Sequence, residues 1–96
     1  MPKVMVDNIV IAESDDVKMV EGNPYFPPST IKSEYFTKTD LHTVCHWKGN
    51  ADYFTIEVNG KTLENAAWTY PAPSTDRAEP IKDYVAFYPN KVQIVM

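Results

Sequence analysis

The chain is expected to fold as a small, mostly β domain of antiparallel hairpins packed into two sheets, with one or two short helical turns. Three observations predict this. Turn-forming pairs, Asp7-Asn8, Asn59-Gly60 and Pro89-Asn90, interrupt apolar alternations of period two. No stretch carries a sustained helical period. Eight prolines are spread along 96 residues, breaking any long helix. The length fits a single domain, residues 1–96, with no repeat, linker or low-complexity tract. So short a chain buries a modest fraction of its surface, and a homodimer would add to its stability.

Val4-Met5-Val6-Asp7-Asn8-Ile9-Val10-Ile11 predicts the first hairpin, since Asp and Asn tolerate the positive φ of a primed turn. Pairing Val6 with Ile9 sets Val4 opposite Ile11 and gathers four β-branched side chains on one face. Val17 to Val20 predicts a short strand stopped by Gly22-Asn23-Pro24. Pro27-Pro28 excludes a central strand, and Pro28 suits the start of a helical turn through Ile31. Ser33 to Thr37 reads as extended, and Thr39-Asp40 as a polar corner.

Leu41 to Trp47 alternates imperfectly and leads into a Lys48-Gly49-Asn50 turn. Tyr53–Val58 and Lys61–Trp68 flank Asn59-Gly60, the strongest local hairpin signal in the chain. Pairing Val58 with Lys61 sets Ile56 opposite Leu63 and Phe54 opposite Asn65 on a core face. Tyr53 and Trp68 fall on the other face as diagonal neighbours, with Ala51 opposite Trp68. Tyr70-Pro71-Ala72-Pro73 reads as a connection, Ser74 or Thr75 as the cap of a short helix through Ala78, and Glu79 as extended before Pro80. A last hairpin over Pro89-Asn90 aligns Phe87 with Val92 and Val85 with Ile94; a three-residue loop would shift that register by one. The expected core is Val4, Val6, Ile9, Ile11, Phe54, Ile56, Leu63, Val85, Phe87, Val92 and Ile94.

Composition excludes several function classes. The net charge of −4 and pI near 5.0 argue against binding DNA or RNA, which needs clustered Lys and Arg. A lone cysteine, Cys45, excludes an intrachain disulfide. No apolar run has the length of a signal-peptide core or membrane span, so no membrane partner is expected and a cytoplasmic location is. No cofactor is expected.

Thr43-Val44-Cys45-His46-Trp47-Lys48-Gly49, Ala51-Asp52-Tyr53, Ala66-Ala67-Trp68-Thr69-Tyr70-Pro71 and Tyr84-Val85-Ala86-Phe87-Tyr88 recur in order with the spacing of one family. On these blocks the chain resembles the family known as domain of unknown function 427. The resemblance implies a compact, β-rich single domain related to tent-like two-sheet folds, and it carries over no catalytic residues. The chain lacks the Gly-Ser followed by paired aspartates with which nucleotidyltransferases hold metal and triphosphate, so that chemistry is not expected.

The chemistry-bearing candidates cluster around the central strands. Cys45 and His46 are adjacent, so a strand would point them to opposite faces and prevent a dyad. A buried, structural Cys45 is the simpler reading. Zinc wants four ligands, and one Cys with two His falls short, so no metal is expected. Lys48-Gly49 reads either as a solvated turn or as an anion contact. Tyr25, Tyr53, Trp68, Tyr70 and Tyr88 offer apolar bodies with polar tips that suit either a core or a pocket wall. The leading expectation is a pocket lined by Cys45, Lys48, Tyr53, Trp68 and Tyr70, binding a small polar or anionic molecule. The alternatives are a small-substrate enzyme using Cys45 or His46, and a noncatalytic protein-interaction module.

Overall fold

The computed structural model describes residues 1–96 and contains nine strands and three single turns of 3-10 helix. β1 (Lys3–Val6) and β2 (Ile9–Glu13) form the first hairpin around Asp7 and Asn8, both at positive φ. β3 (Lys18–Val20) and β4 (Asn23–Tyr25) form a two-stranded ribbon around Glu21-Gly22. β5 (Phe36–Cys45), β6 (Gly49–Val58), β7 (Lys61–Ala72) and β8 (Val85–Phe87) make a four-stranded antiparallel sheet in that order. β9 (Gln93–Val95) returns to β1, giving a three-stranded sheet β2-β1-β9. The 3-10 turns span Pro28–Thr30, Ser33–Tyr35 and Glu79–Ile81.

The mostly β class and the two packed sheets stand as the sequence predicts, with the β3–β4 ribbon as a third, smaller element. One core fills the space between the sheets. Val4, Val6, Ile11 and Ala12 from the three-stranded sheet meet Ile56, Val58, Ala67, Val85 and Phe87 from the four-stranded one. All eleven residues of the expected core lie in this cluster or pack against it. The rings of Phe26 and Phe87 meet edge to face at 5.9 Å, as do those of Phe36 and Phe87 at 6.0 Å.

Local turn chemistry is correct where two residues close a hairpin. Val6 pairs with Ile9, and Val58 with Lys61, across turns of positive φ. Bulges alter the registers farther out. One between Val4 and Met5 sets Val4 opposite Ala12 instead of Ile11, and both of those partners are fully buried. Another, where β7 takes up two extra residues around Asn65 at positive φ, sets Phe54 opposite Ala67 instead of Asn65. Tyr53 then pairs directly with Trp68.

Several other expectations are corrected. Ser33–Tyr35 is a helical turn, not extended chain, and β5 begins only at Phe36. Asn23–Tyr25 continues as a strand, because Pro24 sits in a ribbon where a missing N–H is tolerated. β7 likewise runs through Tyr70-Pro71 to Ala72, where a bulge between Asn50 and Asp52 leaves Pro71 without a ladder partner. The helical turn expected before Ala78 lies at Glu79–Ile81 instead, with Pro80 inside its first turn. The last hairpin does not form: β8 pairs with β7 and β9 with β1, so the chain changes sheets across Pro89-Asn90. Val92 and Ile94 still reach the core, from the opposite sheet.

Two measurements test this packing. Phe87 is fully buried between both sheets, so Phe87→Ala should cost about 3–5 kcal/mol in denaturant unfolding. A Cβ on Gly49 would lie 2.9 Å from the Ala72 carbonyl oxygen, at φ +107°, whereas one on Gly60 would meet nothing within 4 Å. Gly49→Ala should therefore lower Tm by more than Gly60→Ala, whose cost is conformational alone.

Candidate functional site

Strands β6, β7 and β8 of the four-stranded sheet bury residues on both faces, while β5 is mostly exposed. The sheet's face away from the main core carries a second cluster: Tyr25, Ala51, Tyr53, Trp68, Tyr70, Ile81 and Ala86, with Cys45, Tyr84 and Tyr88 packed against it. Alternation explains the division. Phe54, Ile56 and Val58 point to the main core, while Ala51 and Tyr53 point away. In β8, Val85 and Phe87 face the main core and Ala86 faces the aromatics. Tyr25 and Phe26 split in the same way, and reciprocal bonds between Phe26 and Val85, of 2.8 and 2.9 Å, fasten the ribbon to the sheet edge.

Trp68 Nε1–H donates to the Tyr25 hydroxyl at 3.1 Å, and their rings meet edge to face at 6.3 Å. The Tyr53 hydroxyl bonds Thr43 Oγ1 at 3.0 Å and approaches the Tyr88 hydroxyl at 3.5 Å. Tyr88 stacks on Tyr53 and tilts against Trp68, with centroids 6.5 and 4.6 Å away. No buried side-chain polar atom lacks a partner.

Lys48 enters this cluster from the turn between β5 and β6. Gly49 holds that turn close against the Ala72 carbonyl, and Lys48 O accepts from Ser74 N–H at 3.4 Å. The Lys48 side chain is 8 % exposed, its ammonium 5.4 Å from the Tyr70 ring centre and 5.3 Å from that of Trp47. It donates to Glu21 Oε1, from the tip of the ribbon. Arg77 lies over the Trp47 ring at 4.4 Å, and the Thr75 hydroxyl donates to the Trp47 carbonyl at 2.8 Å. The solvated-turn reading of Lys48 is thus corrected: the turn is exposed at His46, but its lysine points inward.

The electrostatics follow from this packing. Burial works against the Lys48 ammonium, but the Glu21 hydrogen bond and the electrostatics of Tyr25, Tyr70 and Glu21 outweigh it, placing its pKa above the ordinary lysine value. The same hydrogen bond to Lys48 holds the Glu21 carboxyl below the usual carboxylate value. Burial pushes Tyr70 up to about 12. The hydrogen bond to Tyr53, then burial, pushes Tyr88 up to about 12.

Cys45, Lys48, Tyr53, Trp68 and Tyr70 therefore lie in or against one cluster, but its centre is filled by their own rings. The surface clefts lie elsewhere. One, of about 380 Å³, is lined by Phe36, Phe54, Thr69, Asp83 and Val85 among others; the second, of about 370 Å³, takes Tyr53 with Tyr88, Asn65 and Lys91. Cys45 is a half-buried free thiol, and neither histidine hydrogen-bonds it; His42 Nδ1 instead lies 2.9 Å from Asp52, which also pairs with Lys38 at 3.2 Å. No three His, Cys, Asp or Glu side chains converge as metal ligands. No helix is long and apolar enough to cross a membrane. Glu21, Trp47 and Arg77 are not among the residues expected in the site. The Trp47-Lys48 adjacency signals one of them; Glu21 and Arg77 arrive by tertiary contact, and Tyr25, one of the candidate aromatics, joins through its bond from Trp68.

The family model described as "Domain of unknown function (DUF427)" matches residues 2–96. No curated protein matches the chain.

Tyrosine ionisation tests the cluster. Folded pKa values near 12 lie above the unfolded value of 10, so the stability contributed by Tyr70 and Tyr88 is complete below pH 10 and lost as pH rises toward about 12. Tyrosinate absorbance should show a component rising near pH 12 that Tyr70→Phe and Tyr88→Phe each diminish.

Proposed function

We propose, for a chain that belongs to the DUF427 family and so takes no activity from its relatives, that it binds a small carboxylate or similar anion beside its aromatic cluster. The observation that carries this is the state of Lys48. Its charged amine is nearly withdrawn from water, yet its only ionic partner is Glu21, whose side chain is 59 % exposed at a turn tip. A buried ammonium needs an anion, and here that anion is an exposed side chain that a ligand can displace.

The surroundings suit a flat anion. Lys48 supplies the central charge, and Arg77, laid over Trp47, supplies a planar guanidinium nearby. The lysine amine lies over the ring faces of both Tyr70 and Trp47. Cys45 borders the cluster, while Trp68 and Tyr53 hold Tyr25 and Tyr88 in place behind it. The role is noncatalytic binding, and the unpaired Cys45 fits a reducing cytoplasm.

Benzoate tests the reading by NMR titration. It should produce saturable shifts at Glu21, Trp47, Lys48 and Arg77. Lys48→Met, which keeps the packed stem, should abolish them. Glu21→Gln should tighten binding by about tenfold, because the competing charge-assisted hydrogen bond is weakened. Unchanged affinity in Glu21→Gln would overturn the proposal. Lys48→Ala is unsuited to this test, since removing a buried stem also costs packing.

A further inference from the structure

On the opposite face of the same sheet lies the cleft of about 380 Å³. Its apolar surface comes from Phe36, Phe54 and Val85, with Ile31 as a wall. Phe36 and Phe54 meet edge to face at 6.0 Å, presenting a firm aromatic surface. The volume falls within the range of small-ligand sites.

The polar groups of the cleft present acceptors. Thr69, 7 % exposed, lines the cleft, and its hydroxyl spends its proton on the Tyr84 carbonyl at 2.7 Å, leaving the oxygen only acceptor capacity. Asp83 is exposed at the rim and takes part in none of the four ion pairs of the protein. Its backbone is held at φ +65°, a left-handed conformation, by an N–H bond of 3.1 Å to the Tyr70 carbonyl. Asparagine or glycine would occupy that conformation readily without adding a charge. The residue present is an aspartate, which places a free carboxylate beside an aromatic floor.

From this arrangement we infer that the cleft is a second binding site, for a small primary amine carrying an apolar or aromatic body. The ammonium has three donors and no acceptor, matching Asp83 and Thr69, and its body covers Phe36, Phe54 and Val85. The site is separate in residues and opposite in charge preference from the anion site around Lys48, so either can fail without the other.

The probe is 2-phenylethylamine, titrated against the labelled full chain by NMR, with 2-phenylethanol as its neutral counterpart and phenylacetate as its anionic one. The amine should give saturable shifts at Phe54, Thr69 and Val85, and the alcohol should bind about tenfold more weakly, the worth of one hydrogen bond to a charged group. Phenylacetate should not shift these resonances. Asp83→Asn keeps the backbone conformation and should remove the preference for amine over alcohol. Ser33→Trp, which places a large side chain at the exposed mouth, should abolish binding of both while the spectrum stays dispersed. Non-saturable shifts, shifts confined to other residues, an amine preference that survives Asp83→Asn, or binding that survives Ser33→Trp would each overturn the inference.

Discussion

The structure depends on a four-stranded sheet in which three strands, β6, β7 and β8, must bury both faces at once. In its middle, Ala67 and Phe87 look into the main core while their neighbours Trp68 and Ala86 look the other way. Such a sheet needs a cover on each side. On one side the cover is the β2-β1-β9 sheet. On the other it is the β3–β4 ribbon, anchored by the Phe26–Val85 bonds and by Trp68 donating to Tyr25. Bulges make the arrangement fit. By taking up two extra residues around Asn65, β7 keeps its faces and brings Tyr53 and Trp68 directly opposite each other on the aromatic face.

The second face explains why so many polar-tipped aromatics gather here. A ribbon of three-residue strands supplies little aliphatic bulk, so large rings fill the gap and their hydroxyls satisfy one another and Trp68. Small residues make room for them: Ala51 and Ala86 are both fully buried beneath the rings. The cluster is thus a packed layer, and its chemistry lies at its margins. One margin carries Lys48 with Glu21, and another carries Tyr53 and Tyr88 beside Lys91.

Lys48 shows how a turn residue becomes interior. Its burial is a consequence of Gly49, whose missing Cβ lets the β5–β6 turn close onto the end of β7. The ammonium then has two aromatic rings and one carboxylate for company, and the carboxylate comes from a different sheet element. The pair therefore ties the ribbon tip to the main sheet. It holds at neutral pH because each partner keeps the other charged.

Short-range physics was legible in the amino-acid sequence. Asp7-Asn8 and Asn59-Gly60 fixed two hairpins, since positive φ at a two-residue turn is a local demand. Period-two patterning separated Ile56 and Val58 from Tyr53, and with it the main core from the aromatic face. Lys48, Tyr53, Trp68 and Tyr70 were recognisable as residues that cluster. Tertiary structure alone decided the rest. Whether β8 and β9 pair with each other or with β7 and β1 depends on which sheet has a free edge at the right height, which no local signal encodes. Bulge positions, and the passage of β7 through Pro71, answer to the twist and packing of neighbouring strands. The partnership of Lys48 with Glu21 joins residues 27 apart in the chain through a ribbon whose docking is set by Phe26 and Tyr25. An ion pair of that kind has no footprint in spacing or composition, because it exists only once both sheet faces have found their covers.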